Sequence, residues 1–211
     1  MKKKVVVFDV DGTLFDTKRG IVDALNCVLR SYGEEPIAES EGNKYIGPPI
    51  KESLVRLHGF DEKKACEGTE LYRKIYVEQF IGKSVAYQGM EKMLIKLKET
   101  GCILGIATMK TRPQIDRMMD LFNLRTCFSV IKTAREDGSL NKEQMLKQIS
   151  GLYGEGFSYY MIGDTMGDYL ASQNAGYEFI AVDYGYGDIN DLNCRHVRNL
   201  EELDKLLLVF R

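Results

Sequence analysis

The sequence lacks the features that mark membrane proteins, secreted proteins and nucleic-acid-binding proteins. Its 211 residues contain no apolar stretch long enough to span a bilayer. Only four apolar residues follow Lys2–Lys4, which is too short for the core of a signal peptide. The net charge of −2 provides neither a basic footprint for nucleic acid nor a polybasic run for an anionic membrane. We therefore expect a cytoplasmic protein that has neither a nucleic acid nor a membrane as its partner.

Cysteine and histidine are also sparse, which argues against several catalytic classes. The five cysteines are scattered and form no C-x-x-C pair, so we expect reduced thiols and no disulfide framework. No Cys–His arrangement is readable, and His58 and His196 are isolated, as surface or packing histidines are. The remaining composition, 44% hydrophobic and 28% charged, is that of a globular protein with one domain, or one domain plus a small second unit.

The most informative segment begins at Val5. The apolar run from Val5 to Phe8 predicts a short buried strand, and Asp9 and Asp11 follow it immediately. Side chains two residues apart on a strand point the same way, so both acids face one volume at the carboxyl end of a strand, where open α/β sheets bind ligands. Their repulsion requires a cation or a shared proton. The segment thus indicates a metal or catalytic site, although an acidic turn has a similar composition.

Apolar strands and helical patterns alternate along most of the chain. The predicted strands lie at 5–9, 103–108, 128–132, 159–163 and 179–182. The predicted helices lie near 90–100, 113–123, 141–151, 167–175 and 200–209. This alternation predicts an α/β fold with a doubly wound, parallel, Rossmann-like sheet.

The interval between the first two predicted strands is too long for a single crossover helix. Its amphipathic patterns near 21–32, 50–57 and 65–80 are helical. We predict that residues 16–86, the helical insert, form a small bundle over the sheet edge that carries the carboxylates. Residues 1–15 and 87–211 then form the core domain.

A threonine and a lysine stand near the ends of later predicted strands. Thr108 ends its strand, where its hydroxyl and the following N–H groups could hold a phosphate oxygen, although β-propensity also explains a threonine there. Asn141 and Gln144 have capping-box spacing, which places Lys142 in the first turn of a helix. A lysine opposes the helix dipole at that position unless an anion lies nearby. A solvated surface lysine is the plain alternative, and the rivals for an anion-binding role are Lys132 and Lys147.

A second pair of acids follows the predicted strand 159–163. Asp164 comes directly after Gly163, and Asp168 comes four residues later, so the two share a face if a helix begins here. Helix capping by Asp164 is the structural alternative. It is weakened because this is the second strand end that carries paired acids.

These motifs together resemble the haloacid dehalogenase (HAD) superfamily over nearly the whole chain. The resemblance is carried, in order, by Asp9-x-Asp11-Gly12-Thr13, Thr108, Lys142 and Gly163-Asp164-x-x-x-Asp168. The helical insert is similar to the small cap of the phosphoglycolate-phosphatase-like branch, as are Ile46-Gly47-Pro48-Pro49, Asn174-Ala175-Gly176 and Tyr184-Gly185-Tyr186-Gly187. The resemblance implies a HAD-like core with a helical cap inserted after the first strand. It also implies a Mg²⁺-dependent phosphatase that hydrolyses a small phosphorylated metabolite through an aspartyl-phosphate intermediate.

The resemblance also implies residue roles. Asp9 is the implied nucleophile, and Asp11 is the implied acid and base. Dehalogenases of the superfamily lack an aspartate at the second position, so Asp11 points to phosphoryl transfer. The implied Mg²⁺ ligands are Asp9, the backbone carbonyl of Asp11, Asp164 and, through water, Asp168.

The implied phosphate-binding groups are Thr108, the N–H of Met109 and Lys142. Two of these places depart from the family pattern. The family lysine is often followed by proline, where Glu143 stands here, and Met109 replaces a frequent asparagine. A backbone contact survives the second change, whereas a side-chain contact does not.

The implied cap closes over the site and contacts the leaving group. The candidate contacts are Arg19, Lys44, the Gly47–Pro49 loop, Lys51 and Arg56. The acceptor stays open, and a β-phosphoglucomutase-like phosphotransferase, a 5′-nucleotidase and a pyrophosphatase are alternatives. A phosphonoacetaldehyde hydrolase would need Lys44 or Lys51 as a Schiff-base lysine. A receiver-like phospho-acceptor fits less well, because it has no helical insert and carries its aspartate on a middle strand.

Overall fold

A computed structural model of the chain describes residues 3–135 and 137–209. The predicted division into a core domain and a helical insert also covers Met1, Lys2, Glu136, Phe210 and Arg211, which lie outside the described residues. Within the described ranges, no helix combines the length and the apolar character needed to cross a bilayer.

The described residues form a six-stranded sheet and a two-stranded ribbon. Their strands are β1 (Lys3–Phe8), β2 (Phe15–Asp16), β3 (Val85–Ala86), β4 (Ile103–Thr111), β5 (Val130–Ala134), β6 (Phe157–Gly163), β7 (Glu178–Val182) and β8 (Arg195–Val197). The order in the main sheet is β5-β4-β1-β6-β7-β8, and every neighbouring pair is parallel. The carboxyl ends of β4, β1 and β6 therefore lie side by side at one edge.

The residues predicted to form the helical insert, 16–86, begin within β2 and end with β3. The helices of the insert are α1 (Lys18–Ser31), α2 (Ile50–His58) and α3 (Glu62–Ile75), with 3₁₀ segments at Glu39–Tyr45 and Ile81–Lys83 and a π-helix at Tyr76–Phe80. The amphipathic stripe of α1 buries Ile21, Leu25 and Val28 as its spacing predicted. The two short strands pair antiparallel, with Asp16 opposite Val85, so they join the ends of the insert.

Helices cover both faces of the main sheet. The core helices are α4 (Met90–Glu99), α5 (Arg112–Leu121), α6 (Lys142–Tyr153), α7 (Met166–Ala175) and α8 (Leu200–Val209). Side chains of β1 alternate between the two layers: Val6 and Phe8 pack with α4, α5, α8 and the insert, whereas Val5 and Val7 pack with α6 and α7. This three-layer arrangement confirms the predicted doubly wound α/β fold.

Several strands differ from the sequence-based expectation. The strand expected at 128–132 runs from Val130 to Ala134, because Phe128 turns into the core against Phe8 before the strand begins. β4 continues past Thr108 to Thr111 through a register shift against β5. β8 was not predicted, since three residues with an exposed arginine carry no strand pattern of their own.

Candidate active site

The end of β1 places Asp9 at the centre of the sheet edge. The Asp9 N–H donates to Ile162 O of β6 at 2.9 Å, and the side chain is buried. A tight turn follows, in which the N–H groups of Thr13 and Leu14 donate to Val10 O and Gly12 adopts a φ of +74°. The turn brings Thr13 back toward the acids, so the short motif wraps around the strand end.

Three buried carboxylates, two directly after strands and one in the first turn of α7, meet beside this turn. One oxygen each of Asp9, Asp164 and Asp168 lies within 4.8 Å of the others. Asp164 accepts hydrogen bonds from Thr13 Oγ1 at 3.2 Å and from the Tyr186 N–H at 2.8 Å. The structure thus brings together three of the four acids proposed as metal ligands.

The positions of Asp164 and Asp168 relative to the start of α7 differ from the expected ones. Thr165 is the N-cap of α7, and Asp168 completes its capping box by accepting hydrogen bonds from the Thr165 N–H and hydroxyl. The alternative that Asp164 caps the helix is therefore wrong, and Asp164 precedes α7 instead of sharing a helical face with Asp168. Its carboxylate is left to face Asp9.

Glycines allow the backbone to close around Asp164. A Cβ atom at Gly12 would lie 2.2 Å from Asp164 Oδ2, and one at Gly185 would lie 2.2 Å from Asp164 Cβ. A Cβ atom at Gly187 would lie 2.1 Å from the Asp164 carbonyl oxygen. Approaches this close exclude any side chain, so the Tyr184–Gly187 segment forms part of the wall of the acidic site.

The acidic cluster has the chemistry of a divalent cation site. Burial is the main cause that raises the pKa of Asp9 and of Asp164, and the neighbouring carboxylates raise both further. Asp9 Oδ1 is buried and makes no hydrogen bond within the described residues, although Lys142 Nζ forms an ion pair with it. Hard oxygen donors with excess negative charge suit Mg²⁺, so these residues fit the ion that the family resemblance implies.

Lys142 faces the acids, as the helix-dipole argument required. Asn141 and Gln144 form the predicted capping box, and Lys142 is the first residue of α6. Its Nζ lies 3.0 Å from Asp9 Oδ1 and also bonds to Asp168 Oδ1. Burial lowers the pKa of the Lys142 ammonium, but the two aspartates outweigh burial and raise it above its ordinary value.

The rival lysines and Glu143 face away from this cluster. Lys132 bonds to Gln148, and Lys147 pairs with Glu143. Glu143, which stands where the family often has proline, also accepts a hydrogen bond from Asn174. Glu143 at this place therefore does not prevent Lys142 from reaching Asp9 and Asp168.

Thr108 and Met109 line a small cavity beside Asp9. Thr108 is buried, and its Oγ1 accepts a hydrogen bond from the Lys110 N–H at 3.2 Å where β4 changes register. The cavity has a volume of about 70 Å³, and its floor includes both Asp9 and Asp11. From the helical insert it is lined by Ile21, Tyr45, Ile46, the Gly47–Pro49 loop, Ile50 and Tyr72.

A larger space of about 500 Å³ lies on the other side of the Gly47–Pro49 loop. Ile46, Met109 and Lys142 line both spaces, so the loop separates an inner chamber from an outer one. Lys44 lines the outer chamber. The other charged candidates, Arg19, Lys51 and Arg56, line neither chamber.

The side chain of Asp11 points away from the three-acid cluster. Its Oδ1 accepts a hydrogen bond from Thr17 Oγ1 at 2.5 Å and pairs with Lys110 Nζ at 2.8 Å. The expectation that Asp9 and Asp11 face one volume holds for the cavity that both line, but not for the carboxylate cluster. The strand ends at Phe8, so the two-residue alternation no longer governs the turn that contains Asp11.

Lys110 is a site residue that the sequence motifs did not indicate. Its side chain is 4% exposed, and Nζ donates to Tyr76 Oη at 3.1 Å in addition to its contact with Asp11. Burial lowers the pKa of this ammonium, but Asp11 and Tyr76 raise it to a higher net value. A usable signal was present, because Lys110 follows Thr108 by two residues in an extended segment.

A family model described as haloacid dehalogenase-like hydrolase matches residues 6–182 of the chain. The chain therefore belongs to the haloacid dehalogenase-like hydrolase family, as the ordered motifs predicted. A crystal structure of a predicted phosphatase from Clostridium acetobutylicum has a TM-score of 0.90 to this fold, with 28% identity and 99% of each chain covered.

Curated relatives carry different activities in their names. The chain is 28% identical to a 5′-nucleotidase from Pseudomonas aeruginosa, over 89% of this chain and 86% of the relative. It is 29% identical to the tyrosine-protein kinase PtkA from Mycobacterium tuberculosis, over 97% and 72%, respectively. It is 25% identical to a phosphoglycolate phosphatase from Mesorhizobium japonicum, over 95% and 89%. Family membership thus defines the scaffold more closely than the substrate.

Proposed function

We propose that the protein is a Mg²⁺-dependent phosphatase that hydrolyses a small phosphorylated metabolite through an aspartyl-phosphate. The observation that carries the proposal is the buried carboxylate of Asp9, which shares a cavity with Thr108 and Met109 and is paired with Lys142. A carboxylate in this setting is a nucleophile beside a cation that can receive phosphoryl oxygens. Relatives named phosphoglycolate phosphatase and 5′-nucleotidase support the same reaction class.

The proposed metal site uses Asp9, Asp164 and the backbone carbonyl of Asp11, with Asp168 acting through water. Bound Mg²⁺ supplies charge neutralisation between the acidic cluster and an anionic phosphoryl group. Thr108, the Met109 N–H and Lys142 are proposed to bind the phosphoryl oxygens. Lys142 already pairs with Asp9 and Asp168, so it can exchange one anion for another without leaving the site.

The proposed reaction has two steps that both use Asp9 and Asp11. An Asp9 oxygen attacks phosphorus, the phosphorus–oxygen bond to the leaving group breaks, and Asp11 gives a proton to the departing oxygen. In the second step Asp11 takes a proton from water as that water attacks the aspartyl-phosphate. Inorganic phosphate leaves, and the Asp9 carboxylate is restored.

We propose that residues 16–86 act as a cap on a core formed by residues 1–15 and 87–211. The paired strands β2 and β3 connect the two parts, and the Gly47–Pro49 loop stands between the inner and outer chambers. Closure of such a lid excludes bulk water and commits the substrate. The inner chamber then receives the phosphoryl group and the adjoining atoms of the leaving group.

A 5′-nucleotidase activity is the second candidate. The outer chamber has a volume of about 500 Å³, which lies within the range of about 300–1,000 Å³ that is usual for small-molecule sites. A leaving group as large as a nucleoside can extend into it past Met109 and the Gly47–Pro49 loop. A small alcohol would not need that space.

Turnover of p-nitrophenyl phosphate tests the reaction class. We expect hydrolysis with Mg²⁺, none with EDTA, and none by the Asp9→Asn variant. A panel of phosphoglycolate, nucleoside monophosphates, sugar phosphates and pyrophosphate then ranks the substrates. Labelled phosphate that appears on an added sugar instead of in solution would identify a phosphotransferase. Phosphorylation without turnover would identify a phospho-acceptor and contradict the proposal.

A further inference from the structure

Lys110 is a buried charge that the proposed chemistry does not use. It lies on β4, two residues beyond Thr108, and its side chain is 4% exposed. A buried ammonium is unfavourable unless it is paired and hydrogen-bonded. Its two partners are Asp11, at 2.8 Å, and Tyr76, at 3.1 Å. The lysine therefore connects the sheet to the proposed acid and base.

The carboxylate of Asp11 is held from two sides. Thr17 Oγ1 donates to Oδ1 at 2.5 Å, and Lys110 Nζ approaches the same oxygen at 2.8 Å. Two contacts on one oxygen restrict the rotation of the carboxylate, while the side chain still lines the inner chamber. Proton transfer requires such placement, because the acid must lie within hydrogen-bonding reach of the leaving oxygen.

Tyr76 extends the contact into the helical insert. It is buried at the start of the π-helix Tyr76–Phe80, and its ring stacks on Tyr72, which lines the inner chamber. Lys110 Nζ lies 4.6 Å from the ring centroid as well as within reach of the hydroxyl. Lys110 thus contacts the insert and Asp11 at the same time, so displacement of the insert would remove one of its two partners.

We propose that Lys110 is a positioning residue that holds Asp11 for proton transfer and, through Tyr76, makes that position depend on the closed arrangement of the helical insert. The inference rests on the proposed phosphatase function, in which Asp11 is the acid and base. Lys110 also lines the inner chamber, but the scheme gives it no contact with the phosphorus or with the nucleophile. Its effect therefore differs from that of Lys142, which pairs with Asp9.

The role of Lys110 can be measured by comparing two substrates whose leaving groups differ in their need for a proton. p-Nitrophenolate departs with little help from an acid, whereas an alkoxide needs a proton. Lys110→Met keeps the length of the side chain and removes its charge. We expect its kcat/KM for glycerol 2-phosphate to fall at least about tenfold more than its kcat/KM for p-nitrophenyl phosphate, because general acid catalysis contributes about 10²- to 10⁴-fold. The matched control is Lys132→Met on β5, which removes a lysine bonded only to Gln148 in the described contacts and should leave both values unchanged.

A double-mutant cycle decides whether Lys110 acts through Asp11. In the Asp11→Asn background, Lys110→Met should cost less than about threefold in kcat/KM for glycerol 2-phosphate, because the group that it positions is already lost. Losses that multiply would overturn the proposal, as would equal losses on both substrates in the single variant. Lys110→Arg should restore part of the alkyl phosphate activity.

Tyr76→Phe tests whether Lys110 depends on its contact with the helical insert. It also provides a test of the proposal if the Lys110→Met variant does not fold. It keeps the ring and removes the hydroxyl that accepts from Lys110. A selective loss on glycerol 2-phosphate supports the proposal, and an unchanged ratio of the two kcat/KM values overturns the link. A wild-type protein without Mg²⁺-dependent turnover would instead contradict the proposed function, so the two failures are distinguishable.

Discussion

Lys142 Nζ lies 3.0 Å from Asp9 Oδ1, which joins the first residue of α6 to the first residue beyond β1. The same ammonium bonds to Asp168, so one lysine balances two of the three buried acids. The contact explains how a lysine is retained at a helix N-terminus, where the helix dipole disfavours it. It also places a cation beside the proposed nucleophile.

Replacement of Asp9 tests the nucleophile. Asp9→Asn keeps the shape of the side chain and removes the attacking oxygen anion, so we expect turnover of p-nitrophenyl phosphate to fall by about 10⁴-fold or more. Initial rates with Mg²⁺ and circular dichroism spectra provide the measurement. Asp120→Asn, at an exposed acid paired with Arg125, is the control and should keep full activity. Substantial turnover by Asp9→Asn would show that another residue is the nucleophile.

Replacement of Lys142 tests the proposed phosphate contact. Lys142→Met should lower kcat/KM by about 10²- to 10³-fold, the size typical for a lost donor to a developing anion, and should weaken inhibition by inorganic phosphate. Steady-state kinetics with and without phosphate measure both effects. Lys147→Met removes a lysine of the same helix that pairs with Glu143, and it should change neither value. Unaltered phosphate inhibition in Lys142→Met would assign phosphate binding elsewhere.

Metal-free protein should lose stability as pH rises. Burial raises the pKa of Asp9 from 3.8 to about 7 and that of Asp164 to about 8. The two raised pKa values add to the free energy of unfolding while both carboxyl groups are protonated. This contribution is complete below the unfolded pKa near 3.8, and it is lost as pH rises through about 7 to 8. In EDTA we therefore expect Tm to be higher below about pH 6 than above about pH 8.

Added Mg²⁺ should reverse this trend. Metal binding requires deprotonated ligands, so the increase in Tm on adding Mg²⁺ should be larger at the higher pH. Differential scanning fluorimetry across both series gives the comparison. Asp164→Asn should flatten the pH dependence in EDTA and reduce the effect of Mg²⁺. An Mg²⁺ effect of equal size in this variant would reject Asp164 as a ligand.

A methyl group at Gly185 should disturb Asp164. The Cβ atom of an alanine there would lie 2.2 Å from Asp164 Cβ, so the backbone or the acid must move. We expect Gly185→Ala to cost about 1–3 kcal/mol of unfolding free energy, the usual cost of overpacking, and to reduce the effect of Mg²⁺ on Tm. Gly151→Ala is the matched control in α6. Apart from its chain neighbours and the backbone of its own helix, no atom lies within 4 Å of the added Cβ atom, so the substitution should stabilise the protein by about 0.5–1 kcal/mol. Equal behaviour of the two variants would contradict the steric account.

Much of the fold could be predicted because its signals are local. The apolar run of β1 reflects burial on both faces, and the capping box of Asn141 and Gln144 marks the start of α6 within four residues. β8 and the ribbon of β2 and β3 could not be predicted, because strands of two or three residues form only where a partner strand is already in place.

The sequence by itself determined the succession of the longer strands and helices along the chain, the identity of the acids at two strand ends, and the family to which the chain belongs. These follow from patterns a few residues long and from the spacing of polar residues after apolar runs. Only the tertiary structure decided that Asp11 turns toward Lys110 and Thr17, that Thr165 caps α7, and that Gly185 and Gly187 close around Asp164. These contacts join residues that are distant in sequence or lie in irregular turns, where no periodicity relates a side chain to its direction.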